Sequence, residues 1–255
     1  MTTGSVFLIG GGWTETAIPE TWGRFVAAVN ATGGSRIACV LLDDEDIEAR
    51  DEYAGRYVAT LTAAGAREVG IIHVSPDRPL VEAKLVGAAG IAVGGGLTPD
   101  YQKAIVASAG KVIAGMVRQG MPYAGFSAGA AIAAETAVVG GWKLPADDAN
   151  HGHELPICSD EVSEDEEFLA VRYGIGLVPF AVDVHASQWG TLTRLIHAMR
   201  TGAVAEGWAI DEDTMLEVSG GEVMAVHGQG SAYHVTSGDG GVRVKVVIRT
   251  ARTNS

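Results

Sequence analysis

The chain has 255 residues, of which 47% are hydrophobic and 19% are charged, so it is long and apolar enough to bury a sizeable core. Its formal net charge of −13 excludes nucleic acid and anionic membranes as expected partners, because Lys and Arg must neutralise phosphates in such complexes. No apolar run approaches the roughly 20 residues that span a bilayer. We therefore expect a soluble protein with a single domain over residues 1–255.

The two cysteines predict neither a disulfide nor a metal cluster. Cys39 lies in an apolar run and Cys158 in an acidic stretch. Unpaired cysteines are typical of the cytoplasm, which is the expected location. The chain begins without a basic region, and its first apolar run, residues 6–9, is short, so no signal peptide is expected.

Strands and helices alternate in the first half of the chain. Near-continuous apolar runs rich in β-branched residues predict buried parallel strands at residues 6–9, 37–42, 69–74 and 91–93. Apolar spacings of three and four predict helices at residues 22–29, 47–61 and 101–117. This alternation predicts βαβ units and an α/β fold, with a mostly parallel sheet flanked by helices.

The pattern changes after residue 134. Residues 144–171 hold nine acidic residues and no Lys or Arg, which predicts an exposed acidic loop or, alternatively, a lid or cation-binding patch near a functional site. A strand at 178–185 and a helix at 188–200 follow. Short alternating segments then predict antiparallel edge strands near the C-terminus, at residues 215–218, 223–227 and 242–248.

The strongest motif is Gly125-Phe126-Ser127-Ala128-Gly129, in which a short strand leads at once into a small-residue helix. A G-x-S-x-G sequence in this context predicts a nucleophile elbow with Ser127 as nucleophile. The start of the helix directs N–H groups, including that of Ala128, and a positive dipole end towards the serine. The alternative is an ordinary glycine-rich turn.

A second glycine cluster, residues 94–96, follows a predicted strand and precedes a helix opened by Thr98 and Pro99. A Thr98 cap with proline at the first helical position explains part of this pattern. Three glycines exceed what a cap needs, so we expect the N–H of Gly95 or Gly96 to join that of Ala128 in an oxyanion hole.

Seven histidines compete for the role of general base, and His185 is favoured because it ends an apolar strand. The carboxyl ends of strands are where α/β sites gather. Asp183 lies two residues earlier on the same strand face. The pair His151 and His153 in the acidic loop could bind a metal, but no third ligand is defined, and no metal site is predicted.

A carboxylate must orient the imidazole, and three consecutive acids, residues 211–213, end another apolar strand. The residues alone leave both Asp211 and Glu212 open for this role. A solvated turn would explain the same acids.

Five segments in this order resemble the cyanophycinase and dipeptidase E family of serine peptidases, whose fold is like that of class I glutamine amidotransferases. The resemblance covers most of the chain and rests on Gly10 to Gly12, Gly94 to Gly96, Ser127 to Ala130, Gly174 to Leu177 leading into Asp183-Val184-His185, and Ile210 to Thr214. It implies Ser127 as nucleophile, His185 as base, Glu212 as its acid and Gly95 as the oxyanion donor.

The resemblance also implies substrate contacts by Gly96, Asp183 and Arg194. Cyanophycinases usually carry Gln where this chain has Val184, and they carry arginines where Trp189 and Thr191 stand. The expected substrate is therefore not cyanophycin but a short peptide or isopeptide with an acidic residue at the cleaved bond. No cofactor is implied, and a homodimer is a further expectation.

Two other functions fit parts of the sequence. An α/β-hydrolase esterase would use Ser127, Asp211 and either His227 or His234, because in that class the acid precedes the last histidine. A non-catalytic amidotransferase-like binding module would have kept the elbow without the chemistry. Glutaminase activity is disfavoured, since the usual amidotransferase nucleophile is cysteine and this elbow holds serine.

Overall fold

A computed structural model describes residues 4–147, 150, 152–238 and 240–249. Its strands are β1 Val6–Ile9, β2 Arg36–Leu42, β3 Glu68–Val74, β4 Gly90–Val93, β5 Tyr123–Phe126, β6 Thr136–Gly140, β7 Lys143–Leu144, β8 Leu155–Pro156, β9 Ala170–Tyr173, β10 Ala181–Val184, β11 Glu206–Ile210, β12 Thr214–Ser219, β13 Glu222–Gly228, β14 Ser231–Gly238 and β15 Gly241–Ile248. Its α-helices are α1 Trp22–Ala31, α2 Ile47–Ala63, α3 Thr98–Tyr101, α4 Ala107–Arg118, α5 Ala128–Ala131 and α6 Leu192–Arg200.

A seven-stranded sheet has the order β13-β12-β1-β5-β4-β2-β3. The pairs from β1 to β3 are parallel, and β12 and β13 add to the other side of β1 as antiparallel strands. Alternate residues of β1 belong to different apolar clusters, with Val6 and Leu8 in one and Phe7 and Ile9 in the other. The sheet is thus covered on both faces, which explains why its strands are continuously apolar.

A second sheet of four strands, in the order β10-β11-β14-β15, was not anticipated from the sequence. Its strand β10 lies beside the main sheet, since the N–H of His185 donates to the carbonyl of Gly10 at 3.0 Å. Val182 and Val184 of β10 share one apolar cluster with Val6 and Leu8 of β1. The two sheets therefore bury a common core, and their strand ends meet where β1, β5 and β10 finish.

The predicted mixed α/β fold with a mostly parallel sheet is confirmed, while several boundaries differ. The helix predicted at 101–117 starts at Thr98 and contains a π-helical turn, Gln102–Val106. The segment 215–218 is not at an edge, because β12 lies between β1 and β13. In the part of the chain that the structure describes, no helix is both long and apolar enough to cross a membrane.

The described part of the acidic segment is anchored by basic side chains that flank it. Lys143 Nζ lies 2.7 Å from Glu154 and 2.6 Å from Glu167, and Arg172 pairs with Glu166. The segment also includes β8 and a short 3-10 helix at Asp160–Val162. It is therefore folded against the body of the protein and is more than a solvated excursion.

Candidate active site

Ser127 occupies the sharp turn between β5 and α5. Its φ of 51° and ψ of −114° are values that a residue with a side chain rarely adopts. A Cβ on Gly125 would overlap the carbonyl of Gly129, and a Cβ on Gly129 would overlap the carbonyl of Val93. Both glycines are thus required by close backbone approach, as the elbow motif predicts.

Three side chains form one hydrogen-bonded line. Ser127 Oγ lies 2.8 Å from His185 Nε2, and His185 Nδ1 lies 2.8 Å from Glu212 Oε1. The serine and histidine are buried, whereas Glu212 is partly exposed. A serine bonded to an imidazole that is bonded in turn to a carboxylate is the arrangement that activates a hydroxyl for nucleophilic attack.

Neighbouring groups fix the imidazole of His185. Its backbone has a positive φ of 56°. A Cβ on Gly11 would overlap the ring, so the first glycine turn packs directly against the imidazole. The indole of Trp189 stacks on the ring with 3.7 Å between centroids and 9° between planes. The N–H of Glu212 donates to Gln188 Oε1 at 3.0 Å, which holds the acid in place.

Gly11, Gln188 and Trp189 were not predicted as site residues. The triple glycine after β1 was a usable signal for Gly11, because a cluster of that kind marks a close backbone approach. No pattern marks Gln188, which lies with Trp189 in an irregular turn between β10 and α6. Trp189 stands where cyanophycinases carry an arginine, but that difference did not indicate a contact with His185.

Burial lowers the pKa of His185, because the charged imidazolium loses hydration. The hydrogen bond to Glu212 and the charge of that carboxylate act in the opposite direction. Asp183 raises the pKa and Arg194 lowers it, and both of these effects are smaller. The imidazole is therefore neutral near pH 7, the form that accepts a proton.

The N–H of Gly95, the oxyanion donor expected from the sequence, is engaged within the protein. It donates to Tyr57 Oη at 2.8 Å, and Tyr57 is fully buried in α2. Among the described residues, the N–H groups of Gly96 and Ala128 donate to no protein acceptor. Gly95 still borders the site, since a Cβ there would lie 3.1 Å from Ser127 Cβ.

Asp183 and Arg194 bind each other instead of presenting a surface to a substrate. Two bonds join them, Nε to Oδ2 at 2.8 Å and Nη2 to Oδ1 at 2.7 Å. Nη1 of the arginine donates to the carbonyl of Val162. Asp183 is 1% exposed and Arg194 is 3% exposed, so little of either side chain is accessible to a substrate.

Glu164 of the acidic segment reaches the start of α3, which follows the glycine turn at residues 94–96. Its Oε2 accepts the N–H of Thr98 at 2.9 Å. Thr98 is the first residue of α3, and the cap is Leu97 and not Thr98 as the sequence predicted. Burial raises the pKa of Glu164, partly offset by the Thr98 N–H and by the charge of Arg194. The acidic segment thus contributes one carboxylate close to the oxyanion turn.

The groups that an α/β-hydrolase esterase would use are engaged elsewhere. Asp211 Oδ1 accepts from Ser187 and its Oδ2 accepts from the N–H of Ser231. His227 Nε2 lies 2.8 Å from Glu217, and His234 Nε2 lies 2.7 Å from Glu206. The structure brings Ser127 together with His185 and Glu212, and it does not assemble the other triad.

The histidine pair of the acidic loop is only partly described. His151 lies outside the described residues. In residues 4–147, 150, 152–238 and 240–249, no group of three or more His, Cys, Asp or Glu side chains is placed to hold a metal ion.

Comparisons with known proteins bear on this site. The family model described as peptidase family S51 matches residues 44–226. A peptidase from an acI-B1 Actinobacterium has a similar structure, with a TM-score of 0.65 and 16% identity over 93% of this chain and 96% of that chain. A protein of Listeria monocytogenes EGD-e, assigned as a peptidase E, gives a TM-score of 0.55 and 16% identity over 89% and 100% of the two chains. No curated protein matches the chain.

An α/β fold with a serine at a strand-to-helix turn, together with the family match, defines a serine-type peptidase. The chain belongs to peptidase family S51, because that family's model covers well over half of its length. The resemblance to the dipeptidase E and cyanophycinase family is thereby confirmed.

Proposed function

We propose that this peptidase hydrolyses a peptide or isopeptide bond of a short peptide through an acyl-enzyme on Ser127. The observation that carries the proposal is the unbroken line from Ser127 Oγ through His185 to Glu212, with both hydrogen bonds at 2.8 Å. In this line the serine can be deprotonated and the resulting imidazolium is paired with a carboxylate. The scheme needs no metal or organic cofactor.

In the first half of the reaction, His185 Nε2 takes the proton of Ser127 as Oγ attacks the substrate carbonyl carbon. The carbonyl oxygen gains negative charge, and we assign the N–H groups of Ala128 and Gly96 to its stabilisation, since neither donates to an acceptor within the described part of the chain. The C–N bond then breaks, and His185 gives its proton to the leaving amine.

In the second half, a water molecule gives a proton to His185 and attacks the acyl carbon. The ester bond to Ser127 breaks, the acid product leaves and the imidazole returns its proton to the serine. Glu212 remains a carboxylate throughout and stabilises the imidazolium in both halves.

We also propose that an aspartyl residue precedes the cleaved bond, which is supported by the resemblance to the dipeptidase E branch. Because the guanidinium of Arg194 is paired with Asp183, it is not available to bind an acidic side chain of the substrate. The N–H groups of Gly94 and Gly95 are engaged by the carbonyl of Val40 and by Tyr57 Oη, so the turn at residues 94–96 offers its remaining N–H, that of Gly96, to the oxyanion alone.

A matched dipeptide panel tests both parts of the proposal. It contains α-Asp-X, isoaspartyl-X, Asn-X and Ala-X peptides, and release of free X is followed for the wild type and for Ser127→Ala. We expect hydrolysis by the wild type only, with Asp-X cleaved at least about 10-fold faster than Asn-X, as expected when a site that binds a polar group of the substrate rejects an analogue lacking it. Equal cleavage of Ala-X overturns the aspartyl preference, and activity in Ser127→Ala overturns the mechanism.

A further inference from the structure

The indole of Trp189 lies flat on the imidazole of His185, at 3.7 Å between ring centroids and 9° between ring planes. The stack is fixed by the backbone, because the N–H of Trp189 donates to the carbonyl of His185 at 2.9 Å. Trp189 is nevertheless 44% exposed, so burial of apolar surface alone does not account for its position.

The charged form of His185 has one directly bonded carboxylate among the described residues. The ring is buried and so loses hydration, and a single carboxylate, Glu212, contacts it at Nδ1. The other charged groups that act on the ring are Asp183 and Arg194, which pair with each other and oppose one another. During the reaction Nε2 gains a proton, and additional negative potential at the ring face then lowers the energy of the imidazolium.

An aromatic face supplies such potential without a formal charge. Cations are attracted to the face of an aromatic ring, with tryptophan the best of the aromatic side chains. The flat contact also restricts rotation of the imidazole and so keeps Nε2 directed at Ser127 and Nδ1 at Glu212.

We propose that Trp189 is a positioning residue for the reaction proposed above: its indole holds the imidazole of His185 between Ser127 and Glu212 and stabilises the imidazolium that forms when Ser127 is deprotonated. The inference rests on the proposed function, since it assigns His185 the role of base. It differs from simple shielding, because an aliphatic side chain of similar bulk would shield the ring without stabilising its charge.

The test measures the rate at which a fluorophosphonate inactivates Ser127 as a function of pH, which needs no knowledge of the natural substrate. Trp189→Phe keeps an aromatic face, whereas Trp189→Leu and Trp189→Met keep only apolar cover. Tyr173→Leu removes another exposed aromatic ring, one outside the site, and serves as the control. Melting temperatures establish that each variant is folded.

We expect Trp189→Phe and Tyr173→Leu to react within about twofold of the wild type. Trp189→Leu and Trp189→Met should react about three- to tenfold more slowly, with the acid limb of the profile about half a pH unit lower, as expected when a ring face no longer stabilises the cation. The inference would be overturned if Trp189→Leu and Trp189→Met had the inactivation rate and the acid-limb midpoint of the wild type. It would also be overturned if the inactivation rate of Trp189→Phe fell as much as theirs. A wild-type protein that does not react at Ser127 would instead overturn the proposed function.

Discussion

Backbone conformation at the site is unusual at two facing residues. Ser127 and His185 both have positive φ values, 51° and 56°, in a region that residues with side chains rarely occupy. Such conformations cost energy and persist where surrounding contacts fix them. Here the contacts are the glycines of the elbow for Ser127, and Gly11 with the carbonyl of Gly10 for His185. The hydrogen bond between the two side chains therefore depends on glycines of two different strands.

Gly11→Ala should abolish activity, because the new methyl group would overlap the imidazole of His185 and displace it. Gly33→Ala is the matched control, since Gly33 also has a positive φ, 84°, but nothing lies within 4 Å of its added Cβ. We expect the control to lose about 1 kcal/mol of stability from its strained backbone and to keep full activity. Peptidase assays and urea unfolding of both variants check this. Full activity in Gly11→Ala would show that the imidazole is not held by this turn.

Acid inactivation should begin below the ordinary histidine pKa of about 6.5, because burial lowers the pKa of His185 and only the neutral imidazole accepts a proton. Glu212→Gln removes an effect that raises this pKa, so the acid limb should move to still lower pH. The maximal rate should also fall by at least about 100-fold, since the imidazolium loses its partner. The pH dependence of kcat/KM for both proteins measures this. If the acid limb of the kcat/KM profile moved to higher pH in Glu212→Gln, the contact assigned between Glu212 and His185 would be contradicted.

The positions of Ser127 and His185 could be predicted from the sequence because each follows a recognisable apolar strand, whereas the residues alone left Asp211 and Glu212 open and the family resemblance implied Glu212. The choice between Gly95 and Gly96 could not be predicted, since it depends on the Tyr57 hydroxyl, 38 residues from Gly95 in another element. Nor could the sequence show that Asp183 is paired with Arg194, because burial and pairing depend on tertiary packing.

At the scale of elements, the acidic segment and α6 meet at the Asp183 and Arg194 pair. Arg194 belongs to α6, Asp183 to β10, and Val162, which accepts from the arginine, to the acidic segment. One buried ion pair thus joins three parts of the chain behind His185. The composition predicted an exposed loop here, because acidic residues are usually solvated. The contacts that Val162 and Glu164 make with Arg194 and Thr98 produce no recognisable pattern in the sequence.

Arg194→Met should destabilise the protein by about 3–5 kcal/mol, because it leaves the buried carboxylate of Asp183 without its countercharge and with the N–H of Val184 as its remaining donor. Adding Asp183→Leu should recover much of this loss, since the uncompensated charge is then gone. The free energy of unfolding and the KM for the best peptide are measured for the single and double variants. An unchanged stability with a raised KM in Arg194→Met would instead support the substrate contact expected from the sequence.

At the scale of the whole molecule, the alternation of strands and helices predicted the parallel sheet but not the separate four-stranded sheet. The strands after residue 178 were predicted except for β14, Ser231–Gly238, and apolar periodicity does not specify which sheet a strand joins. Residues of both sheets nevertheless share an apolar cluster, as Val182 and Leu8 do. The single domain, the homodimer and the cytoplasmic location all stay predictions.

A shared core leads us to expect one cooperative unfolding transition, because neither sheet can lose its contacts without exposing the other. Scanning calorimetry, with fluorescence and circular dichroism followed in parallel, measures this. Two separate transitions, one for each sheet, would contradict the single-domain prediction.

The central claim is that Ser127 is activated by His185, and the site of covalent modification tests it most directly. The protein is exposed to a fluorophosphonate, and the adduct is located by mass spectrometry of its peptides. We predict an adduct on Ser127 in the wild type, His227→Ala and His234→Ala, and a rate about 1,000-fold lower in His185→Ala, as expected when a triad base is removed. An adduct that forms at the wild-type rate in His185→Ala, or one located on another residue, would contradict the account.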